Sequence, residues 1–159
     1  MRGRDALARE EQERRAATVI EFNMSPYARH LGMIVLSTWP GGARVLMECP
    51  TLHNPLYGTV HGGAIFSLAD HAFGLAANCD DPGQMALSAS ITYIAPGRGP
   101  LEAVAEQVGD DGTHSFYRVV VKEEGRLVAV FEGTSIRKPV PPIKEGRPGG
   151  DPTHSQSVV

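Results

Sequence analysis

The sequence predicts an α+β fold, an antiparallel sheet with its helices segregated from it, and three observations carry that reading. Residues 64–79 form a run rich in Ala, Leu and Phe whose apolar side chains occur at every angle of a helical wheel, the pattern of a core helix surrounded by protein. Segments rich in Val, Ile, Thr and aromatic residues flank it on both sides and are divided by short turn signals, so sequence neighbours should pair antiparallel. The length of 159 residues and a hydrophobic share of 42% suit one domain able to bury a real core.

Taken in order, residues 4–22 alternate Ala, Arg and Glu with Leu7, Val19, Ile20 and Phe22, which predicts a helix whose first half is solvated. Ser25-Pro26 ends or restarts it, and a helical turn over 27–31 leads into a strand over 33–38. Pro40-Gly41-Gly42 turns the chain into a returning strand, 43–49, which Pro50 closes. Residues 51–61 read as a polar loop, and Gly62-Gly63 precedes the core helix. After Asp80-Asp81-Pro82-Gly83, four strands are expected near 84–94, 101–108, 114–123 and 126–137, running as a meander divided by Pro96-Gly97, Asp110-Asp111-Gly112 and Glu124-Gly125. Residues 139–159 hold five prolines and no apolar periodicity, the composition of a disordered tail. The organisation is therefore an N-terminal helical segment, 1–24, a domain over 25–138, and that tail.

Charge and cysteine content narrow the partners. Fifteen basic against 18 acidic residues leave a formal charge of −3, with no positive excess to hold a nucleic-acid backbone. The N-terminus lacks the apolar stretch of a signal peptide and no apolar run elsewhere is long enough to span a bilayer, so the expected location is cytoplasmic, with no membrane partner. Cys49 and Cys79 have neither CxxC nor zinc-ligand spacing and are expected to be free thiols. No cofactor is expected. A metal site built from His53, His61, Asp70 and His71 is disfavoured, because His71 leaves the helix about 100° from Asp70.

Asp70 is the leading candidate for chemistry. Its helical neighbours are Phe66, Ser67, Phe73 and Gly74, with no local cation. A carboxylate losing hydration there has a raised pKa, as suits a general base or nucleophile; alternatively it accepts hydrogen bonds from backbone or serine. Gly62 and Gly63 allow a close approach to the helix start, where unpaired amides and the positive end of the dipole would stabilise an oxyanion, although a tight turn also explains them. His61 either orients that loop and a substrate carbonyl or bonds to nearby backbone. Asn54 and Tyr57 are ordinary loop residues unless the loop folds toward Asp70.

The stretch from His53 to Asp70, His-Asn-Pro-Leu-Tyr-Gly-Thr-Val-His-Gly-Gly-Ala-Ile-Phe-Ser-Leu-Ala-Asp, resembles the signature of hotdog-fold acyl-CoA thioesterases of the PaaI type, within the 4-hydroxybenzoyl-CoA thioesterase superfamily. Ser25 to Met33, Ser90 to Pro96 and Leu127 to Lys138 resemble that family's lead-in, following strand and final strand. The resemblance implies a sheet wrapped around the core helix, joined sheets of two protomers with two sites across their interface, and a homodimer or homotetramer. It implies hydrolysis of an acyl-CoA or aryl-CoA thioester, with Asp70 as general base or nucleophile, the Gly63 amide polarising the carbonyl, and His61 and Asn54 in support. Ser90 would help hold the water or Asp70 of the partner subunit. Asn54 stands seven residues before His61 where many relatives have six, and Ala95 stands where relatives often place Arg. Tyr57, Phe66, Phe73, Met85 and Tyr93 are candidates either for an acyl pocket or for core. CoA phosphates have candidate partners in Arg98, Lys122, Arg126, Arg137 and Lys138. A non-catalytic acyl-CoA-binding or sensing protein is the alternative; the dehydratase branch of the fold lacks its His and Glu motif here.

Overall fold

The computed structural model describes residues 2–49, 53–54 and 57–137, so the expected tail lies outside the described residues. The chain runs α1 (Arg2–Met24), α2 (Pro26–His30), β1 (Met33–Trp39), β2 (Gly42–Met47), β3 (His53–Asn54), β4 (Thr59–Val60), α3 (Gly62–Asn78), β5 (Gln84–Tyr93), β6 (Leu101–Asp110), β7 (His114–Glu123) and β8 (Arg126–Arg137). The expected helices and six main strands are present. Where a plain loop was expected, β3 and β4 pair in a small antiparallel ladder, His53 opposite Val60 and Asn54 opposite Thr59.

The six long strands form one antiparallel sheet in the order β1-β2-β6-β7-β8-β5, which corrects the simple meander. β5 pairs with β8, the last strand, while β6 leaves it and pairs with β2. The physical reason is the connection: residues 94–100 form no tight turn but cross the end of the sheet, pinned by Ile94 and Ala95 amides on the Val128 carbonyl (2.8 and 3.1 Å) and by the Val60 amide on the Gly97 carbonyl (2.7 Å). Turn signals separate strands without saying which edges meet.

α3 packs on one face of this sheet. Leu68, Leu75 and Phe73 are fully buried with Met47, Leu101, Val119, Val121 and Phe131. Phe131 meets Phe73 at 5.7 Å between ring centroids and Phe66 at 5.5 Å. A Cβ on Gly133 would lie 2.9 Å from Phe131 and 3.0 Å from Phe73, so only glycine admits both rings. Truncating Phe73 or Phe131 to alanine would cost about 3–5 kcal/mol by cavity formation.

The helix is not enclosed on every side, as its composition suggested. Ser67, Asp70, His71, Gly74 and Asn78, at spacings of three and four, form a half-buried stripe facing away from the sheet. α1 covers part of it, with Phe22 stacked 5.1 Å from the His71 ring. The exposed first half of α1 is as expected, and it is held by Arg14 on the Asp80 carbonyl (2.8 Å) and by Arg15 on the Asp80 carboxylate (2.9 Å). Among the described residues no helix is long and apolar enough to cross a membrane.

Candidate active site

The start of α3 is built by His61. In extended conformation (φ −62°, ψ 136°) it acts as N-cap: its Nδ1 accepts the Gly63 amide at 2.9 Å, and its carbonyl accepts the Ala64 and Ile65 amides at 2.9 and 3.2 Å. Both readings of His61 meet here, since bonding to nearby backbone is how it orients the loop. The expected oxyanion donor, Gly63, is thereby engaged. The Gly62 amide is the first-turn donor that no described group accepts. Ser67 donates its hydroxyl to the Gly63 carbonyl at 2.8 Å and lies 2.8 Å from the Tyr27 hydroxyl.

Asp70 lies two turns further along α3. Among the described residues no hydrogen bond or ion pair reaches its carboxylate, and burial raises its pKa. Of its aromatic helical neighbours, Phe66 and Phe73 both pack their rings against Phe131. The half-buried stripe around Asp70 is instead polar and small, Ser67, His71 and Gly74. Burial also lowers the pKa of His71.

Helix geometry separates these groups within one chain. Seven residues from Gly63 to Asp70 correspond to about 10 Å along the axis, on the same face. A carbonyl within hydrogen-bond reach of the first-turn amides is therefore too far from the same chain's Asp70 to be attacked with its help.

Within this chain Ser90 lies away from the start of α3. It stands opposite Glu132 on the outer face of the sheet, in an open groove with Phe116 and Thr134, whereas its neighbour Ile91 packs on the core. Strand parity assigns alternate residues to opposite faces, and a bulge between Ala86 and Ser88 resets that parity along β5. Asn54 is placed by its backbone opposite Thr59; its side chain lies outside what is described. Of the pocket candidates, Phe66 packs against the core and Phe73 lies within it, Tyr57 and Met85 are exposed, and Tyr93 lines a shallow groove of about 310 Å³ with Val60, Gly62, Ile65, Ile94 and Pro96. Among the basic candidates, Arg126 is paired with Glu123 and Arg137 with Asp81 and Asp110; Lys138 lies outside the described residues. Both cysteines are free and buried, and burial pushes the Cys49 thiol up to about 11.

The comparisons with known proteins bear on this architecture, an antiparallel sheet packed on a helix that opens with His-Gly-Gly and carries a half-buried carboxylate two turns on. A family model described as Thioesterase superfamily matches residues 57–130, which contain that whole helix. The acyl-coenzyme A thioesterase PaaI of Escherichia coli is 32% identical over 113 residues, spanning 69% of this chain and 81% of that protein. The structure of the E. coli PaaI protein superposes with a TM-score of 0.74 at 26% identity, covering 80% of this chain and 95% of the other. A variant of the phenylacetic acid degradation protein PaaI from Thermus thermophilus superposes with a TM-score of 0.67 at 43% identity, covering 72% of this chain and all of that one. The chain belongs to the thioesterase superfamily, as a hotdog-fold thioester hydrolase of the PaaI type.

Proposed function

We propose that this thioester hydrolase acts on acyl-CoA or aryl-CoA, in the cytoplasm, at sites shared between two copies of the chain. The observation that carries the reading is the pair of complementary groups on α3: a half-buried carboxylate with no cationic partner and, at the positive end of the helix dipole, an amide with no acceptor, both among the described residues. A thioester carbonyl is already electrophilic, so the site must place an attacking oxygen and stabilise the oxyanion that forms. Asp70 supplies the first as general base for water or as nucleophile. The first-turn amides supply the second; Gly62 takes the role the motif gave to Gly63, whose amide His61 occupies. Because eight residues hold these groups about 12 Å apart along the axis in one chain, the Gly62 amide of one protomer works with Asp70 of the partner subunit. β5 is the edge through which two sheets join, since Met85, Leu87 and Tyr93 are each at least half exposed along it. The similarity to a protein named acyl-coenzyme A thioesterase supports the CoA ester as substrate.

Asp70→Asn tests this, with thiol release from a panel of aryl-CoA and acyl-CoA esters as readout. Turnover is expected to fall by about 10²–10⁴-fold, the usual worth of a positioned base; full turnover by the folded variant would sink the assignment. In the wild type, kcat/KM should fall toward acid at a pH above the ~3.9 of an ordinary aspartate. The same raised pKa means that the folded state holds this proton more tightly than the unfolded one, so ionised Asp70 costs stability at neutral pH and the cost vanishes below about pH 4. Asp70→Asn should therefore raise Tm at pH 7, by about 1–3 °C, with the gain disappearing in acid. Tight CoA-ester binding without thiol release would favour the carrier reading instead.

A further inference from the structure

Tyr93 reaches the start of α3 from the far side of the chain. It is the last residue of β5, and its hydroxyl donates to the Gly62 carbonyl at 2.9 Å. Its ring lies against the same glycine: a Cβ built on Gly62 would stand 3.4 Å from the ring carbon bearing the hydroxyl and 3.5 Å from the hydroxyl oxygen. The backbone amide that the proposed chemistry uses and the carbonyl that Tyr93 holds belong to one residue.

We propose that Tyr93 is a positioning residue, clamping Gly62 so that its amide keeps a fixed aim at the thioester carbonyl; this rests on the thioesterase reading of the site. The need is physical. A glycine loses more conformational freedom on ordering than any other residue, and the first helical turn lacks the intrahelical bonds that steady later ones. An amide free to swing is a poor oxyanion donor, because its orientation must be set before charge develops. The rest of this turn is already tied down, with the Gly63 amide on His61 and the Gly63 carbonyl on Ser67. Tyr93 closes the remaining side. Its bond to the Gly62 carbonyl also polarises the Gly62–Gly63 peptide, which strengthens that peptide's donor toward His61. Since Tyr93 sits at the end of the edge strand, the clamp ties donor orientation to the strand expected to receive the second protomer.

Tyr93→Phe keeps the ring and removes the hydroxyl, and the exposed position of Tyr93 leaves the fold intact. The expected result is a kcat lower by about 3–10-fold, the worth of one neutral hydrogen bond, with KM within about twofold of wild type. Nuclear magnetic resonance supplies the second readout: the Gly62 carbonyl carbon and the Gly63 amide should both shift in the variant while core resonances stay in place. Ser67→Ala serves as a comparison at the neighbouring carbonyl and should leave the Gly62 carbonyl signal unmoved. A wild-type enzyme that turns over with an equally active Tyr93→Phe, or a raised KM at unchanged kcat, would overturn the clamp and leave the thioesterase reading standing. Absence of hydrolysis by the wild type would overturn that reading and, with it, the clamp's role in turnover. In the wild type, close contacts between the Tyr93 ring protons and the Gly62 α protons give a check that needs no variant; their absence counts against the clamp.

Discussion

The two edges of the sheet are finished differently. At β1 the edge is partly covered: α1 packs beside it, the Asn23 carboxamide accepts the Val35 amide at 2.9 Å, and a bulge between Val35 and Ser37 breaks the ladder, although Ile34 and Leu36 are each 47% exposed. At β5, nearly the whole strand is exposed and carries Met85 and Leu87, 53% and 56% exposed. An open edge with apolar side chains is a template for another chain, and proteins that stay apart blunt it. Here one edge is partly blunted and the other is left open beside the candidate site, since β5 ends on the Tyr93 that holds Gly62. The lesson is that protection against association is local, and the edge left open is the one that the proposed function assigns to a second protomer.

The contrast can be broken most severely by giving each edge the same lesion. Leu87→Asp on β5 should leave a monomer by light scattering and cut turnover by about 10²-fold or more, whereas Leu36→Asp on β1 should change turnover by less than about twofold. Equal effects at both edges would remove the distinction. A sharper form asks whether the open edge brings two half-sites together. Gly62→Pro deletes the donor amide at a position where proline is tolerated, and mixing that inactive protein with inactive Asp70→Asn should restore about a quarter of wild-type activity after subunit exchange. No recovery would place both groups' work within one chain. The smallest effect is expected at the covered edge, where the Asp80 carboxylate holds Arg15 and also accepts the Gly41 amide at 3.3 Å. Asp80→Ala should cost no more than about 1 kcal/mol and free α1 to proteolysis, with turnover unchanged.

How far the sequence was legible differs between fold and site. Helix and strand positions could be read because they depend on periodicity and punctuation within a few residues. The place of β5 beside β8 could not, because the link over 94–100 is compatible with either neighbour until both faces of α3 have been packed. In the site, Asp70 stands out by residue type and spacing, and the structure leaves it half-buried and, among the described residues, without a cationic partner. The face that Ser90 takes depends on the Ala86/Ser88 bulge, and the engagement of Gly63 depends on the His61 rotamer, neither of which can be read along the chain. Tyr93 carried one available signal, a tyrosine ending a strand just before a Pro-Gly link, but nothing in the chain said what its hydroxyl would meet.

By itself, then, the sequence determined the α+β class, the elements, the carboxylate and the glycine-rich helix start, all properties set by neighbours along the chain. Tertiary structure alone decided which strand lies at the open edge, which first-turn amide has no acceptor among the described residues, and that a β5 hydroxyl closes on Gly62. Those depend on contacts between residues far apart in sequence, where an error of one residue in register or one rotamer exchanges a core position for a surface one.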